Sequence, residues 1–585
     1  MIVNLPYPKG MRPGGNFLED GSTRRLVNVR FVAGKWATRG GNVQAHAYSM
    51  QHLTQFDKEG LVNDKLGEGV GLYSYRRRGI AQLLIAVFRA RDSDRAMEVA
   101  ILRGPRAIAT ATDAAVFSAD VIGFRPVSFA ELNGRIYMAG PFSRGLFRIH
   151  IVTSDQIDMG YLEPIDRRKI RHSELDDSGT YLTASPVFKF VFTHQNRVYG
   201  VDSEIGTRLR ASNLNDGDAY PGNNFLDIND AGDLTGGLSW GRYAVLFTSS
   251  GRVFMYSGAP ATDQGATRDE VNNPFNDFCI SHYSIVKTPH GIVFLGTRGI
   301  YILHLTELGY RIDKMSEAIN HIFTGERDTY QGYTSDNLQI IRQGLEYSHA
   351  VYVPSRDMYV CYVPAWYTTS PHIIATLHGV KSAPTLGICN TFGQGIHIDQ
   401  GRCVYAMCID QTPSGVERWL GCDHAGGVHD LDYGTHDTLL RTAEDQLTTS
   451  HAQVQSKIDY TMFGGGERAN YTKLEVLVEP RGALTGLTPS GSSSGNTILS
   501  CRSWSGDLQS TLGVKDNTLY FPYLSGNKLL SATVTPITLS VAERSAARIR
   551  LRHVAGRSAT VSLGFIGRFI SSRLDAVHFR AIAET

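Results

Sequence analysis

The chain has 585 residues, 42% hydrophobic and 19% charged, and its 58 basic and 56 acidic side chains leave a formal net charge of +2. That length argues for two or three domains with a core needing no disulfide or metal staple. The balanced charge excludes a surface that grips nucleic acid all over, and seven cysteines without paired spacing exclude a secreted disulfide framework.

The leading stretch MIVNLPYPKGMRPGGNF has no apolar run behind its first charges, so no signal peptide is expected and synthesis is expected in the cytosol. Residues 1–60 read as an extended or β segment that joins the following domain. From there a unit recurs: an apolar strand, a short turn with Gly, Asn or Arg, and a second strand rich in Tyr, Val and Phe. YRRRGIAQLLIAVF (75–88) begins the series, followed by FAELNGRIYMAG (129–140) and FVFTHQNRVYGVD (190–202). LSWGRYAVLFTSSGRVFMYSG (238–258) and IVKTPHGIVFLGTRGIYIL (285–303) come next, then AVYVPSRDMYVCYV (350–363) and QGRCVYAMCI (400–409).

Sixty glycines, well above the roughly 7% of average usage, fit many tight turns. In GRIYMAG and HGIVFLG apolar residues fall on both faces of a short strand, as strands sandwiched between neighbouring sheets require. Corresponding turns recur every roughly 45 to 65 residues, the range of four-stranded propeller blades with loop insertions. The chain therefore reads as mainly β, with a β-propeller of about six or seven blades over 61–440. A pair of β-sandwiches stays the alternative, because hairpins alone do not reveal closure. IDKMSEAINHIF (312–323) has helical spacing and predicts one short helix on the rim. Beyond 440, YTKLEVLVEP and ITLSVAERSAARIRLRHVAGRSATVSLGFIGRF alternate apolar and polar residues, which predicts a C-terminal β-sandwich-like domain over 441–585. No run reaches the ~18 apolar residues of a spanning helix, so no membrane-spanning segment is expected.

Catalytic signals are weak. Gly491 to Gly495 has the spacing of a nucleophile elbow but lies in a Ser/Gly tract without the strand and helix that motif needs. In the stretch 421–437, Cys422, His424, His429 and His436 could supply zinc ligands, with Cys403 or Cys408 nearby, but their spacing matches no common closed site. Whether this stretch binds a metal stays open in sequence. The Asp- and Asn-rich runs 213–218 and 227–233 have the composition of calcium loops without the ligand positions of an EF-hand, and read as Asx turns. No Walker loop and no HExxH occurs, and no cofactor or metal is assigned. Arg76, Arg77 and Arg78 form the densest basic run, and Arg548, Arg550 and Arg552 the next. Both are candidates for phosphate or interface contact.

The stretches NLPYPKGMRPGGNFLEDGSTRRLVNVRF (4–31), GNVQAHAYSM after Arg-Gly-Gly, and NRVYGVDSEIGTRLRASNLNDGDAYPGNNFLDI (196–228) carry a resemblance. With the two strand-rich runs after them, they resemble the propeller-containing tail nozzle and packaged-DNA stabilisation proteins of short-tailed phages and prophages. The resemblance is densest over 185–325 and brings no catalytic motif. It implies a virion structural protein that closes the tail tube below the adaptor, retains packaged DNA and opens for ejection. It further implies a homo-oligomer, by resemblance a hexamer, meeting tail adaptor or connector proteins and tail fibres or spikes. Double-stranded DNA would pass its channel without sequence specificity. The loop around Asn215, Asp216 and Asp218 would offer its outer face to neighbours. The alternatives are a propeller-type polysaccharide-degrading enzyme of a virion and a cellular propeller scaffold.

Overall fold

The computed structural model describes residues 66–432, interrupted at 77–82, 91–95, 104–113, 121–125, 153–156, 163–184, 259–266, 325–338, 343, 367–384, 403, 412–414 and 423–427. Outside that span it describes the strands named below, with side chains at 28–30 only.

Antiparallel neighbours group into seven four-stranded blades. Blade 1 holds Leu66–Tyr75, Leu83–Ala90, Ala96–Arg103 and Ala114–Asp120. Blade 2 holds Ser128–Leu132, Arg135–Ala139, Phe147–Ile151 and Ile157–Tyr161. Blade 3 is Phe188–His194, Arg197–Asp202, Arg208–Ala211 and Phe225–Asp227. Blade 4 is Leu234–Trp240, Tyr243–Thr248, Val253–Ser257 and Thr267–Val271. Blade 5 is Val286–Thr288, Gly291–Leu295, Ile300–Thr306 and Gly309–Lys314. Blade 6 is His349–Val353, Met358–Trp366, Thr385–Thr391 and Gly395–Arg402.

Blade 7 takes Ala406–Gln411, Glu417–Cys422 and Val428–Leu431 from one end of the propeller sequence. Its fourth strand, Asn42–His46, comes from the other end and pairs antiparallel with Val428–Leu431. The first strand of each blade lies innermost, and that of blade 7 packs on that of blade 1. The ring is thereby closed, and the fold is a seven-bladed β-propeller, as the strand spacing predicted.

Period-two patterning explains why the blades stack. In the second strand of blade 1, Leu83, Ile85 and Val87 pack against blade 2 residues such as Ile136, Met138 and Ile149. The intervening Leu84, Ala86 and Phe88 pack the other way, against Ala406, Leu420 and Val428 of blade 7. Both faces of a blade sheet are covered by its neighbours, so apolar residues fall on both faces of its central strands. Gly291–Leu295 is buried at all its positions. First hairpin turns use left-handed backbone: Asn133 and Gly134 have φ of 52° and 76°, and Gln195 and Asn196 have 43° and 57°. These are the angles of tight two-residue β-turns that match strand twist.

Two expectations need correction. Ile312 to Lys314 belong to the outer strand of blade 5, where Ile312 pairs with Leu303, and helix begins only after it. A 3₁₀ turn covers Glu317–Ile319 and the α-helix covers Asn320–Thr324. Cross-strand pairing at a sheet edge overrode the helical spacing. The stretch 400–409 is not a blade hairpin but a junction, running from the outer strand of blade 6 into the inner strand of blade 7.

Strands from both chain ends form further sheet beside blades 6 and 7. Ser22–Val27 bridges the outer strand of blade 6 through Val27 and Ile398, and pairs antiparallel with Gln455–Phe463. Gln455–Phe463 pairs with Ser558–Ile566, which pairs with Thr497–Ser505. Ala469–Pro480 pairs with Ser545–Gly556 and with His578–Ile582, which in turn pairs with Ile2–Asn4.

Candidate interaction surface and propeller axis

Strand alternation gives the ring two unlike faces. The turns after the first and third strands of every blade point to one face, here the hairpin face; the connections between blades lie on the other.

On the hairpin face the loop between Arg208–Ala211 and Phe225–Asp227 folds over blade 2. Asn215 adopts φ 59°, its N–H bonds the Asn196 carbonyl at 2.7 Å, and its own carbonyl accepts from Asn133 Nδ2 at 2.8 Å. Asp216 Oδ1 accepts the Asp218 N–H at 3.1 Å, an Asx turn. Asp218 then points inward: its Oδ2 accepts from Arg135 at 2.7 Å and Arg148 at 2.8 Å, and its Oδ1 from the Tyr137 hydroxyl at 2.8 Å. Burial and this carboxylate together push the Tyr137 hydroxyl pKa well up. Gly217 passes so close to the Tyr137 ring that a Cβ would stand 2.5 Å from it. The Asn/Asp/Gly composition thus serves an inter-blade latch. Of the three predicted contact residues, Asp218 is spent inside the molecule, while Asp216 stays 39% exposed at its side chain.

The opposite face carries the mouth of the axis, and a 3₁₀ turn, His282–Ser284, sits there ahead of blade 5. The Tyr283 hydroxyl donates to the Pro126 carbonyl of blade 2 at 2.6 Å. The His282 ring stacks on Phe190 of blade 3 at 4.1 Å, and its Nδ1 accepts the Gly237 N–H of blade 4 at 3.4 Å. Ser281 Oγ donates to the Ser348 carbonyl at 2.7 Å, and the Tyr359 hydroxyl of blade 6 donates to the Ser284 carbonyl at 3.0 Å. One turn therefore ties blade 5 to blades 2, 3, 4 and 6. Burial, with His349 next in importance, lowers the His282 pKa to about 3, so the imidazole is neutral.

Where the ring closes, the N-terminal segment enters a buried charge cluster. Arg30 is 2% exposed; its Nη1 donates to Asp399 Oδ1 at 2.5 Å and its Nε to Asp432 Oδ2 at 3.2 Å. Tyr362 donates to the same Asp399 at 3.2 Å, and the guanidinium lies 5.8 Å from the Trp419 ring. Arg356 also pairs with Asp432. Sequence reading missed Arg30, Asp399 and the Ser281 to Ser284 turn, since their partners are distant in the chain.

The other predicted residues are dispersed. Arg76 lies on the first turn of blade 1 and bonds Gln411 through its side chain and, at 3.0 Å, its carbonyl. Arg77, Arg78, His424 and the Gly491 to Gly495 tract lie outside the described residues. Arg548, Arg550 and Arg552 alternate along Ser545–Gly556, with Glu475 and Lys473 opposite the first two. Cys422 is buried in the blade 1–blade 7 core and His429 is buried on the next strand, opposite Gly421. Among the described residues no three His, Cys, Asp or Glu side chains converge as metal ligands. The acidic run 227–233 is neutralised by protein cations: Asp227 by Arg208 at 2.7 Å, Asp230 by Arg252 at 3.1 Å and Asp233 by Lys189 at 2.8 Å. Hydrogen bonds from Arg208 hold the Asp227 carboxyl below its ordinary pKa. Among the described residues no helix is long and apolar enough to cross a membrane.

No family model matches the chain, and no curated protein matches it. Among solved structures it is similar to BBS1N, solved in complex with ARL6DN, at 7% identity and a TM-score of 0.36 over 67% of this chain and 97% of that one. Saccharomyces cerevisiae Sqt1 gives 7% identity and a TM-score of 0.36, covering 63% of this chain and 96% of that one. BamB from Moraxella catarrhalis gives 8% and 0.24, covering 69% and 96%. These are propellers, and a likeness so distant does not bear on what this chain binds.

Proposed function

We propose that the chain is a non-enzymatic structural subunit, and that its setting is the tail nozzle of a phage virion. The observation that carries the scaffold reading is the turn ahead of blade 5: Tyr283 and His282 reach blades 2 and 3 with the chain's own side chains. Ligands of propellers are usually taken near the axis, and the side chains of this turn are spent on inter-blade contacts. The inter-blade carboxylates act likewise, since Asp218 meets guanidiniums across a blade boundary. Such a ring suits an assembly part that must keep its shape while neighbours bind its loops.

The nozzle setting comes from the resemblance over 4–31 and 185–325, and the subunit would then assemble around an external channel through which DNA passes. A homo-oligomer, by resemblance a hexamer, is the expected state, docked on the tail adaptor and meeting fibres or spikes. Light scattering and negative-stain imaging of the purified protein, alone and mixed with tail adaptor, test this. A ring, or a ring on the adaptor, supports the nozzle. A monomer that ignores the adaptor favours a free-standing interaction scaffold.

A further inference from the structure

Buried charge is unevenly shared among the blades. Eleven Arg, Asp and His side chains are buried among the described residues, and seven of them belong to blade 7 or face it. Asp410, Arg418, His429 and Asp430 stand on its own strands. Arg30 comes from the N-terminal segment, and His397 and Asp399 from the outer strand of blade 6. Those two pair with Cys389 and Gly387, on the side of blade 6 that packs against blade 7. The remaining four are spread over blades 3 to 5 and their loops.

Blade 7 is tied by polar contacts on both sides. Toward blade 1, Arg418 Nε donates to Asp430 Oδ2 at 3.2 Å, and Ser74 Oγ of blade 1 donates to Asp410 Oδ1 at 2.6 Å. Toward blade 6, Arg30 joins Asp399 to Asp432, and the Ser355 N–H donates to Glu417 at 3.2 Å. The apolar contribution is small on the blade 1 side. Five of the ten side chains in that cluster are Ala or Cys, against none of the fifteen between blades 1 and 2. Small side chains remove little apolar area from water, so they hold a blade weakly. A buried ion pair regains hydration when it separates and adds little net stability, yet removing one partner alone is strongly unfavourable. Such an interface releases whole or not at all.

We propose that blade 7, together with Asn42–His46, is a clasp that leaves and rejoins the ring as one unit while blades 1 to 6 stay folded. Its strands come from both ends of the propeller sequence, so its departure leaves the other six blades in an unbroken run of chain. The buried charges pin its register, since a guanidinium seated between two carboxylates fits in one position only. The ring thus has one place to open and one way to close. The inference does not rest on the nozzle reading.

Five buried cysteines report on this motion without any substitution. Cys408 and Cys422 lie between blades 7 and 1, and Cys389 lies on the blade 6 side that meets blade 7. Cys361, one strand away in blade 6, shares the opposite side with Tyr359, whose hydroxyl reaches Ser284 ahead of blade 5. Cys279 packs in the cluster of blades 4 and 5. The test is iodoacetamide labelling of the full-length protein, in buffer and in urea below the unfolding transition, read by peptide mass spectrometry. Cys389, Cys408 and Cys422 should react together, at least about tenfold faster than Cys279 and Cys361. Arg418→Met strands Asp410 and Asp430 inside the clasp, and should speed the three about tenfold more with Cys279 and Cys361 unchanged. If that variant does not fold, the wild-type order decides alone. Equal rates at all five positions overturn the proposal, because the ring then opens only by global unfolding. Cys361 reacting together with Cys389 also overturns it, since blade 6 itself would be opening. Labelling confined to Cys408, which is 9% exposed, is a local fluctuation and defeats it as well.

Discussion

The Tyr283 hydroxyl donates a 2.6 Å hydrogen bond to the Pro126 carbonyl, joining blades that stand on opposite sides of the ring. The two residues are 157 positions apart, so the bond ties together blades made far apart in the chain. Tyr283→Phe should remove about 1 kcal/mol from unfolding stability with the ring stack retained. Tyr283→Ala should remove about 2–3 kcal/mol, since the packing beside His349 goes as well. Urea denaturation reads both; coincident curves for Tyr283→Phe and wild type would mean the strut bears no strain.

Asp216 and Asp218 separate two roles that composition alone merges. Asp218→Ala leaves Arg135, Arg148 and the Tyr137 hydroxyl without their shared acceptor. A cost of about 2–3 kcal/mol is expected, moderated because both guanidiniums are about one-third exposed. Asp216→Ala should cost under about 1 kcal/mol. If only Asp216→Ala impairs adaptor binding, the loop keeps an external role beside its latch; equal stability losses would contradict the inward geometry.

Arg30 couples the N-terminal segment to the closing blade. Its replacement by Ala strands Asp399, which is fully buried, and should cost about 3–5 kcal/mol. Removing residues 1–46 should do more, because blade 7 loses its outer strand. Limited proteolysis should then cut first within 406–431; an intact truncated propeller would show that closure needs no N-terminal strand.

Acid should begin to weaken the fold below about pH 6.5, above the ordinary carboxylate range. His194 and His397 are buried, and their pKa values fall to about 4 and about 3, in both cases chiefly through burial; for His397 the Arg30 charge adds to it. The unfolded chain takes up protons near pH 6.5 while these folded imidazoles stay neutral, so the unfolded state binds more protons below that pH. Stability therefore drops as pH falls from about 6.5 to about 4, by up to about 1.4 kcal/mol per pH unit for each histidine. His194→Asn should flatten the slope measured by urea titration across that window. An unchanged slope would assign the acid sensitivity elsewhere.

The blades were legible because each is a local event. Asn133-Gly134 announces a hairpin, the turn at Asn196 was legible one residue late because Arg197 already begins the next strand, and residues such as Leu83 to Phe88 announce a sheet buried on both faces. Closure was not legible, since the run GNVQAH contains nothing to identify its partner as Val428–Leu431. The helix expected from Ile312 shrank because its first residues found strand partners in Leu303 and neighbours. The latch at Asp218 was visible only as composition: Asx residues mark a turn, but whether a carboxylate faces solvent or a guanidinium on another blade is a tertiary fact.

The pairing of Asn42–His46 with Val428–Leu431 has a consequence during synthesis. The earliest strand of the ring leaves the ribosome long before its partner and must wait, unpaired, while all six intervening blades are made. It is the kind of bare β edge that recruits other nascent chains. Folding of this ring should accordingly be slow and post-translational in its last step, and its yield should fall with crowded expression while improving at low temperature or with a chaperone that shields exposed strands.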